Sequence, residues 1–309
     1  MGISQYIKEI GRGKDGARSL SREQAADLFG QVLDRSVTDL EIGGFCLAMR
    51  IKGETPTEMA GFLDATATRL DALPASDRPL VVLPSYNGAR KLPVLTPLLA
   101  LLLAREGLPV LLHGTATESQ RVFVPNVLAA LGMPMLSATR KIATGEVAYA
   151  ATELLCPGLK SLLDVRRAVG LRNPAHSLVK LMSPCAGPSL VVSSYTHPEY
   201  AISMGATFSL MRSHAMLLRG TEGEVVADPR RLPQMTGYLA GEATVLQEAQ
   251  AGALAAVPEL PKEIDAETTA AYIRDVLAGR KPVPQPIARQ VAHLLHLTNQ
   301  ISALEAQTA

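Results

Sequence analysis

The sequence is poor in aromatic residues and cysteine, and it has no long apolar run. Its 309 residues include no tryptophan, five phenylalanines and seven tyrosines. The three cysteines, Cys46, Cys156 and Cys185, are odd in number and far apart, which argues against a disulfide framework or a structural zinc site. The longest uncharged apolar run, residues 92–104, is shorter than the roughly 20 residues that a membrane helix needs. We therefore expect no membrane partner.

The amino-terminal residues also lack the features of a secretory signal. Residues 1–19 carry charges throughout and contain no apolar stretch of the kind that such signals require. These observations together predict a cytoplasmic protein with a core of its own.

Positive charge is concentrated in the middle of the chain. The formal net charge is +1, but residues 81–240 contain 15 Lys and Arg against 9 Asp and Glu. Four adjacent basic pairs stand in this part, at residues 90–91, 140–141, 166–167 and 230–231. They could be scattered, solvated charges, or they could form a basic face if the fold brings them together.

Helix-start signals punctuate the first 75 residues. Ser21, Thr38 and Thr55 each stand three residues before a Gln or Glu, the spacing of a capping box. The pattern predicts three short helices that pack together.

From residue 80 onward, short apolar segments alternate with helical patterns. Strands are predicted at 80–83, 109–112, 190–195 and 215–218, with helices between them. This alternation is typical of a parallel sheet covered on both faces, in which ligands bind beyond the carboxyl ends of the strands. The loops after these strands are therefore the informative ones.

Two segments carry a resemblance to a known family. The run LSREQAADLFGQVLDRSVTDLEIGGFCLAMRIKGETPTEMAGF, and within it MRIKGET, resembles the helical domain of the anthranilate phosphoribosyltransferase and nucleoside phosphorylase superfamily. VRRAVGLRNPAHSLVKLMSP resembles the V-R-x-x-L-G-x-R segment of that family. The resemblance implies a small helical, dimerising domain (1–73 and 157–183) on a larger α/β domain with a central, mostly parallel sheet (74–156 and 184–309). It also implies a homodimer.

The diphosphate loop departs from the family pattern. The family's G-T-G-G-D corresponds here to Pro84-Ser85-Tyr86-Asn87-Gly88, in which a proline and a tyrosine replace two glycines. The residues that align with family substrate positions are Ser85, Asn87, Gly88, Thr96, His113, Gly114 and Arg166. Because glycines let backbone amides approach a diphosphate, this loop is expected to bind one poorly.

The metal positions depart as well. Val225 and Val226 replace the adjacent carboxylates that hold magnesium in the family. The nearby Glu222 and Glu224 could bind Mg²⁺ in a rearranged loop, although a solvated acidic turn is the simpler interpretation. Cys156 also replaces the histidine of the family's His-Pro pair, whereas Arg166 matches the arginine that holds the anthranilate carboxylate.

These departures favour a binding protein without catalytic residues or a cofactor. The chain resembles the divergent YbiB-like paralogues, and this resemblance implies binding of nucleic acid without marked sequence preference. The candidate phosphate contacts are Arg90, Lys91, Arg121, Arg140, Lys141, Lys160, Arg166, Arg167, Arg172, Lys180, Arg219, Arg230 and Arg231, which we expect in or near an interdomain cleft.

Several alternatives stay open. Tyr86 and Tyr195 could stack on bases or simply cover the core. The partner could be DNA or RNA, with single strands tolerated, or a small anionic metabolite. The other functional class is a phosphoribosyltransferase with an altered loop that uses Thr96, Glu222 and Glu224 with Mg²⁺.

Overall fold

The amino-terminal part of the chain is helical, as predicted. The computed structural model describes residues 2–13, 15–116, 120–252, 254 and 257–308. Its first helices are α1 (Ser4–Ile10), α2 (Arg22–Leu33), α3 (Asp39–Lys52) and α4 (Pro56–Ala67). The hydroxyls of Ser21, Thr38 and Thr55 each accept from the N3 amide of the following helix, and the N3 side chain returns a bond to the cap. The three predicted capping boxes are confirmed.

The remaining helices follow the strands or close the chain. They are α5 (Thr96–Arg105), α6 (Val124–Ala130), α7 (Thr152–Leu155), α8 (Pro157–Val169), α9 (Ala175–Leu178), α10 (Pro198–Leu210), α11 (Ala266–Leu277) and α12 (Gln285–Thr308), with a 3₁₀ turn at Thr221–Gly223. Among the described residues, none of the helices is both long enough and apolar enough to cross a membrane.

A single sheet forms the centre of the α/β part. Within the described residues its strands are β1 (Leu80–Ser85), β2 (Val110–Gly114), β3 (Val147–Ala151), β4 (Ser189–Ser194), β5 (Ala215–Leu218), β6 (Met235–Leu239) and β7 (Glu242–Gln247). They lie in the order β3-β2-β1-β4-β5-β6-β7. The first five strands in this order pair in parallel, whereas the pairings β5-β6 and β6-β7 are antiparallel. The predicted mostly parallel sheet is confirmed.

The two faces of the sheet belong to two cores. Alternate residues of β1 show this: Leu80 and Val82 pack in the core that continues into the helical part, whereas Val81 and Leu83 pack with α5, α6, α11 and α12. In the helical core, Phe29 stacks on Phe62 with ring centroids 4.6 Å apart. The parallel strands are therefore buried on both sides, which explains their continuous apolar sequences.

The strand order fixes the place of a ligand site. The chain moves outward from β1 through β2 to β3, and then returns to the other side of β1 with β4. In open parallel sheets such a reversal leaves a crevice beyond the carboxyl ends of the two strands. The crevice here lies between the loops that follow β1 and β4.

The sequence patterns did not predict three of the described strands. β3 has the sequence VAYAA, in which small alanines replace the apolar run that marks a buried strand. β7 is an edge strand with mostly exposed residues, so it lacks a buried apolar pattern. β6 and β7 together add the antiparallel edge that the alternating pattern did not predict.

Candidate functional site

The loop that follows β1, residues 86–95, is held in a fixed conformation at the crevice. An antiparallel bridge joins Ala89 to Val122. Gly88 has a φ of 63°, and a Cβ there would lie 2.8 Å from the carbonyl oxygen of Val122. Glycine is therefore required at this position. We call this segment the β1 loop.

The β1 loop binds the carboxylate of Glu224. One carboxylate oxygen, Oε1, accepts from the backbone amides of Asn87 and Gly88, at 3.0 and 2.8 Å. The other, Oε2, accepts from the hydroxyl of Thr96 at 3.1 Å. Glu224 is only 2% exposed. The interpretation as a solvated acidic turn is therefore wrong for this residue.

A second carboxylate caps the rest of the same loop. Glu222 Oε1 accepts from the amides of Lys91 and Leu92 at 2.7 and 2.9 Å, and its Oε2 lies 3.2 Å from the amide nitrogen of Arg90. Five backbone amides of the β1 loop thus donate to two side chains of one later segment. Despite its lost glycines, the loop does bind anions, and the anions belong to the same chain.

The segment that carries these carboxylates is tightly held. We call residues 220–226 the acidic strap. The carbonyl oxygen of Gly223 accepts from Ser194 Oγ at 2.6 Å and lies 3.5 Å from Lys180 Nζ. A Cβ on Gly223 would lie 1.9 Å from Asn87 Nδ2, so the strap and the β1 loop are in close contact. Gln290 donates to the carbonyl of Val225 at 2.7 Å.

The strap does not present an open metal site. No group of three or more His, Cys, Asp and Glu side chains able to hold a metal ion occurs in the described part of the chain. Glu222 and Glu224 direct their oxygens to backbone amides. Three donors therefore already occupy each carboxylate.

Below the β1 loop, the family-aligned His113 forms a buried polar group with Tyr86 and Thr152. Tyr86 is buried, and its hydroxyl lies 2.9 Å from both His113 Nδ1 and Thr152 Oγ1. Burial lowers the pKa of His113 to about 3, so the ring is neutral at physiological pH. A Cβ at Gly114 would lie 1.9 Å from the carbonyl oxygen of Ser85. Base stacking on Tyr86, one of the two sequence interpretations, is wrong because the ring is inside the core.

A cavity of about 520 Å³ opens beside the strap. Its lining includes residues 49–59 of the helical part, residues 172–181 around α9 and the loop after β4, which contributes the half-buried Tyr195. Burial lowers the pKa of Lys180 to about 8 and raises that of Glu54. Titratable groups with pKa values shifted in this way are common in functional sites.

Sequence reasoning missed part of this lining. Arg50 and Glu54 lie within the MRIKGET motif, which drew attention only as a mark of the family. His176 has a pKa lowered to about 4, first by burial and then by the charges of Arg172, Arg166 and Lys180. Of these three predicted cations, Arg172 and Lys180 line the cavity.

A second set of predicted cations lies around the β1 loop. Arg90 and Lys91 are exposed members of the loop, and Arg121 precedes the bridge at Val122. Arg230 is close enough to Glu222 for that carboxylate to raise its pKa, although Asp228 is its direct partner. Arg219 is exposed at the end of β5, immediately before the strap. Residues 117–119, within the loop after β2, lie outside the described residues.

Other predicted cations do not contribute to this face. Arg140 pairs with Glu146, which directly precedes β3, and Lys141 pairs with Asp77, which lies before β1. Because both partners lie at the amino ends of their strands, the expected position of this pair in the cleft is wrong. The remaining cations are compensated by neighbouring carboxylates: Lys160 and Arg167 by Asp164, and Arg231 by Asp228.

Comparison with known proteins identifies the family of this chain. Residues 4–69 match the helical bundle domain of the glycosyl transferase family. The chain is 40% identical to the YbiB protein of Escherichia coli (strain K12), over 98% of this chain and 97% of YbiB. It is 30% identical to an anthranilate phosphoribosyltransferase of Sorangium cellulosum, over 84% of this chain and 77% of that one. The chain belongs to the anthranilate phosphoribosyltransferase superfamily, in its YbiB-like group.

The architecture agrees with that membership. The crystal structure of anthranilate phosphoribosyltransferase from Thermus thermophilus superposes with a TM-score of 0.73 at 21% identity, covering 96% of this chain and 89% of that chain. The acidic strap lies against the β1 loop, which contains the residues that the sequence resemblance aligns with the family's diphosphate loop.

Proposed function

We propose that the protein is a non-catalytic nucleic-acid-binding protein that holds the phosphate backbone along its basic cleft with little sequence preference. The observation that carries this proposal is the occupation of the β1 loop. Its amides donate to Glu222 and Glu224, whereas the side chains of Arg90 and Lys91 at the rim of the same loop remain exposed. The chemistry left at the site is therefore that of positively charged side chains.

The cations that remain suit a polyanion. Arg90 and Lys91 belong to the β1 loop, which the strap contacts, and Arg50, Arg172 and Lys180 line the cavity. Positive side chains distributed along a groove bind successive phosphates and release counterions, with no need for base contacts. Tyr195 and the exposed Tyr200, which line the cavity, leave room for secondary base stacking.

We also propose a homodimer formed through the helical part. Leu40, Leu47 and Ile51 are 86%, 43% and 67% exposed, and their spacing along α3 puts them on one face of the helix. Gly43 and Gly44 lie on the same face and would allow close approach. A dimer would present two grooves to one strand and raise the apparent affinity through effective concentration.

A phosphoribosyltransferase is the second candidate. It is favoured by the cavity of about 520 Å³ that Arg172 and Lys180 line, and by the 30% identity to a bacterial anthranilate phosphoribosyltransferase. Thr96 also keeps its hydroxyl at the loop. This activity would require the strap to leave the β1 loop so that phosphoribosyl pyrophosphate and Mg²⁺ could enter.

Fluorescence anisotropy of a labelled single-stranded oligonucleotide across a salt series tests the first proposal. We expect submicromolar binding at low salt, with a log-log salt slope of several units. The variant Arg90→Ala/Lys91→Ala should weaken binding and reduce the slope by about two, because each lost phosphate contact removes about one. Arg140→Ala/Lys141→Ala is the matched control, since the same residue types lie at the opposite end of the sheet and should have little effect.

The outcomes separate the candidates. Equal losses in both double variants would show a diffuse charge effect and contradict a defined groove. Absence of binding at low salt would refute nucleic-acid binding. Calorimetric titration with phosphoribosyl pyrophosphate, with and without Mg²⁺, then tests the transferase, which requires saturable, magnesium-dependent binding. Unlabelled DNA and RNA, single- and double-stranded, can compete with the probe to identify the preferred ligand.

A further inference from the structure

We propose that Glu222 and Glu224 are a built-in substitute for a bound diphosphate and that they keep external phosphate groups out of the β1 loop. The proposal rests on the contacts between the strap and the loop, and it stands or falls independently of nucleic-acid binding. It makes the acidic strap an autoinhibitory element over a latent anion site.

The hydrogen-bond donors show the latent site. Two amides and the hydroxyl of Thr96 meet the carboxylate of Glu224, and three further amides meet that of Glu222. Successive backbone amides that point to one place form an anion-binding concavity, whatever the anion is attached to. Two neighbouring anionic groups in adjacent sets of donors correspond chemically to the two phosphates of a diphosphate.

Nearby cations reinforce this correspondence. Burial lowers the pKa of Lys180, and the charge of Glu224 opposes this shift. Asp228 is the main cause that raises the pKa of Arg230, and the charge of Glu222 raises it further. Each carboxylate therefore has amide donors and a basic side chain nearby, as a phosphate group would. Removal of both carboxylates would leave Lys180 and the five amides of the β1 loop without these anions, whereas Arg230 would keep its ion pair with Asp228.

The strap conformation indicates that the contact is specific. Glu222 has a φ of 52°, which is uncommon for a residue with a side chain, and Gly223 follows with a φ of 86°. A Cβ at Gly220 would lie 1.8 Å from the carbonyl oxygen of Glu224. These turns place two carboxylates that are only two residues apart against separate parts of one loop. A loosely attached acidic turn would need no such backbone.

Two double variants separate occlusion from a general charge effect. Glu222→Ala/Glu224→Ala removes the charges and empties the donor sites. Glu222→Gln/Glu224→Gln removes the same charges but keeps an oxygen acceptor in each site. If the carboxylates occlude the loop, only the alanine variant should bind a diphosphate. If they merely repel anions, both variants should gain equally.

The measurement is calorimetric titration with inorganic pyrophosphate in metal-free buffer, accompanied by thermal denaturation. We expect the alanine variant to bind at least about 100-fold more tightly than the wild-type protein, and its lowered Tm to rise with pyrophosphate. The glutamine variant should stay within about threefold of wild type. Wild-type binding as tight as that of the alanine variant, equal gains in both variants, or a folded alanine variant that fails to bind would each overturn the proposal.

A single variant covers the case in which the double alanine protein does not fold. Glu222→Ala leaves the buried Glu224 in place and exposes only the amides of residues 90–92. It should gain orthophosphate binding, whereas Glu222→Gln should not. Equal behaviour of these two single variants would refute occlusion at this half of the loop.

Discussion

Replacing Glu58 with alanine should destabilise the protein by about 4 kcal/mol, because it breaks a buried ion pair and leaves several donors without an acceptor. Glu58 and Lys52 are 0% and 8% exposed, and Glu58 Oε2 lies 2.6 Å from Lys52 Nζ. The same oxygen accepts from the amide of Thr55 at 2.9 Å, and Oε1 accepts from the amide of Leu20 at 3.0 Å.

The size of the effect follows from what each variant leaves behind. In Glu58→Ala the buried ammonium of Lys52 loses its carboxylate and keeps the carbonyl oxygen of Gly53 at 3.0 Å, and the amide of Leu20 loses its acceptor. This places the loss in the range of about 3–5 kcal/mol for a broken buried pair. Glu58→Gln loses the charge but keeps one acceptor oxygen, which can serve one of the two amides, so about half of that loss is expected.

Urea unfolding followed by circular dichroism measures both values. Asp39→Asn is the control, because it neutralises an exposed pair with Arg35 at 3.7 Å and should cost less than about 0.5 kcal/mol. If Glu58→Ala lost no more free energy of unfolding than Asp39→Asn, the buried-pair reasoning would be refuted.

Three further predictions test other parts of the structure. Tyr86→Phe should lower the free energy of unfolding by about 1–2 kcal/mol and leave oligonucleotide affinity unchanged, because the hydroxyl bridges buried groups; weaker binding in a stable variant would show that the hydroxyl contributes to binding and contradict this purely structural role. Between pH 7 and 9 oligonucleotide affinity should fall roughly fivefold, because Lys180 loses its charge above its pKa of about 8; the loss should vanish in Lys180→Met, and an equal loss there would assign it to another group. Leu47→Glu should shift the mass in analytical ultracentrifugation from dimer to monomer, whereas Leu304→Glu, at an exposed apolar position near the carboxyl end, should not; a wild-type monomer would refute the interface.

The sequence predicted the parts of the fold that depend on local chemistry. Capping boxes are local, so Ser21, Thr38 and Thr55 marked helix starts correctly. Buried parallel strands such as β1 and β5 read as continuous apolar runs for a simple physical reason, burial on both faces. β3 and β7 were not predicted, because β3 is built largely of small residues and β7 lies at an exposed edge of the sheet.

Charge placement was harder to predict, because a basic pair has no local signal for the end of the sheet on which it lies. The pairs at 90–91 and 140–141 look alike in the sequence, yet one flanks the strap and the other lies at the amino ends of the strands. Only their contacts distinguish them: Glu222 accepts from the backbone amides of residues 90 and 91, whereas Glu146 and Asp77 form ion pairs with the side chains of Arg140 and Lys141.

The β1 loop shows why a lost motif is a poor guide to a lost site. Backbone amides bind anions through their positions, and the loop reaches those positions with a single glycine of positive φ, Gly88. The missing glycines suggested that the loop would bind a diphosphate poorly, whereas Glu224 Oε1 lies 2.8 Å from the amide nitrogen of Gly88. Since 136 residues separate these two partners along the chain, no local pattern could reveal the contact. A degenerate ligand loop can therefore keep its donors by supplying its own ligand, and substitution of the strap, rather than restoration of the loop glycines, is the change that should reopen it.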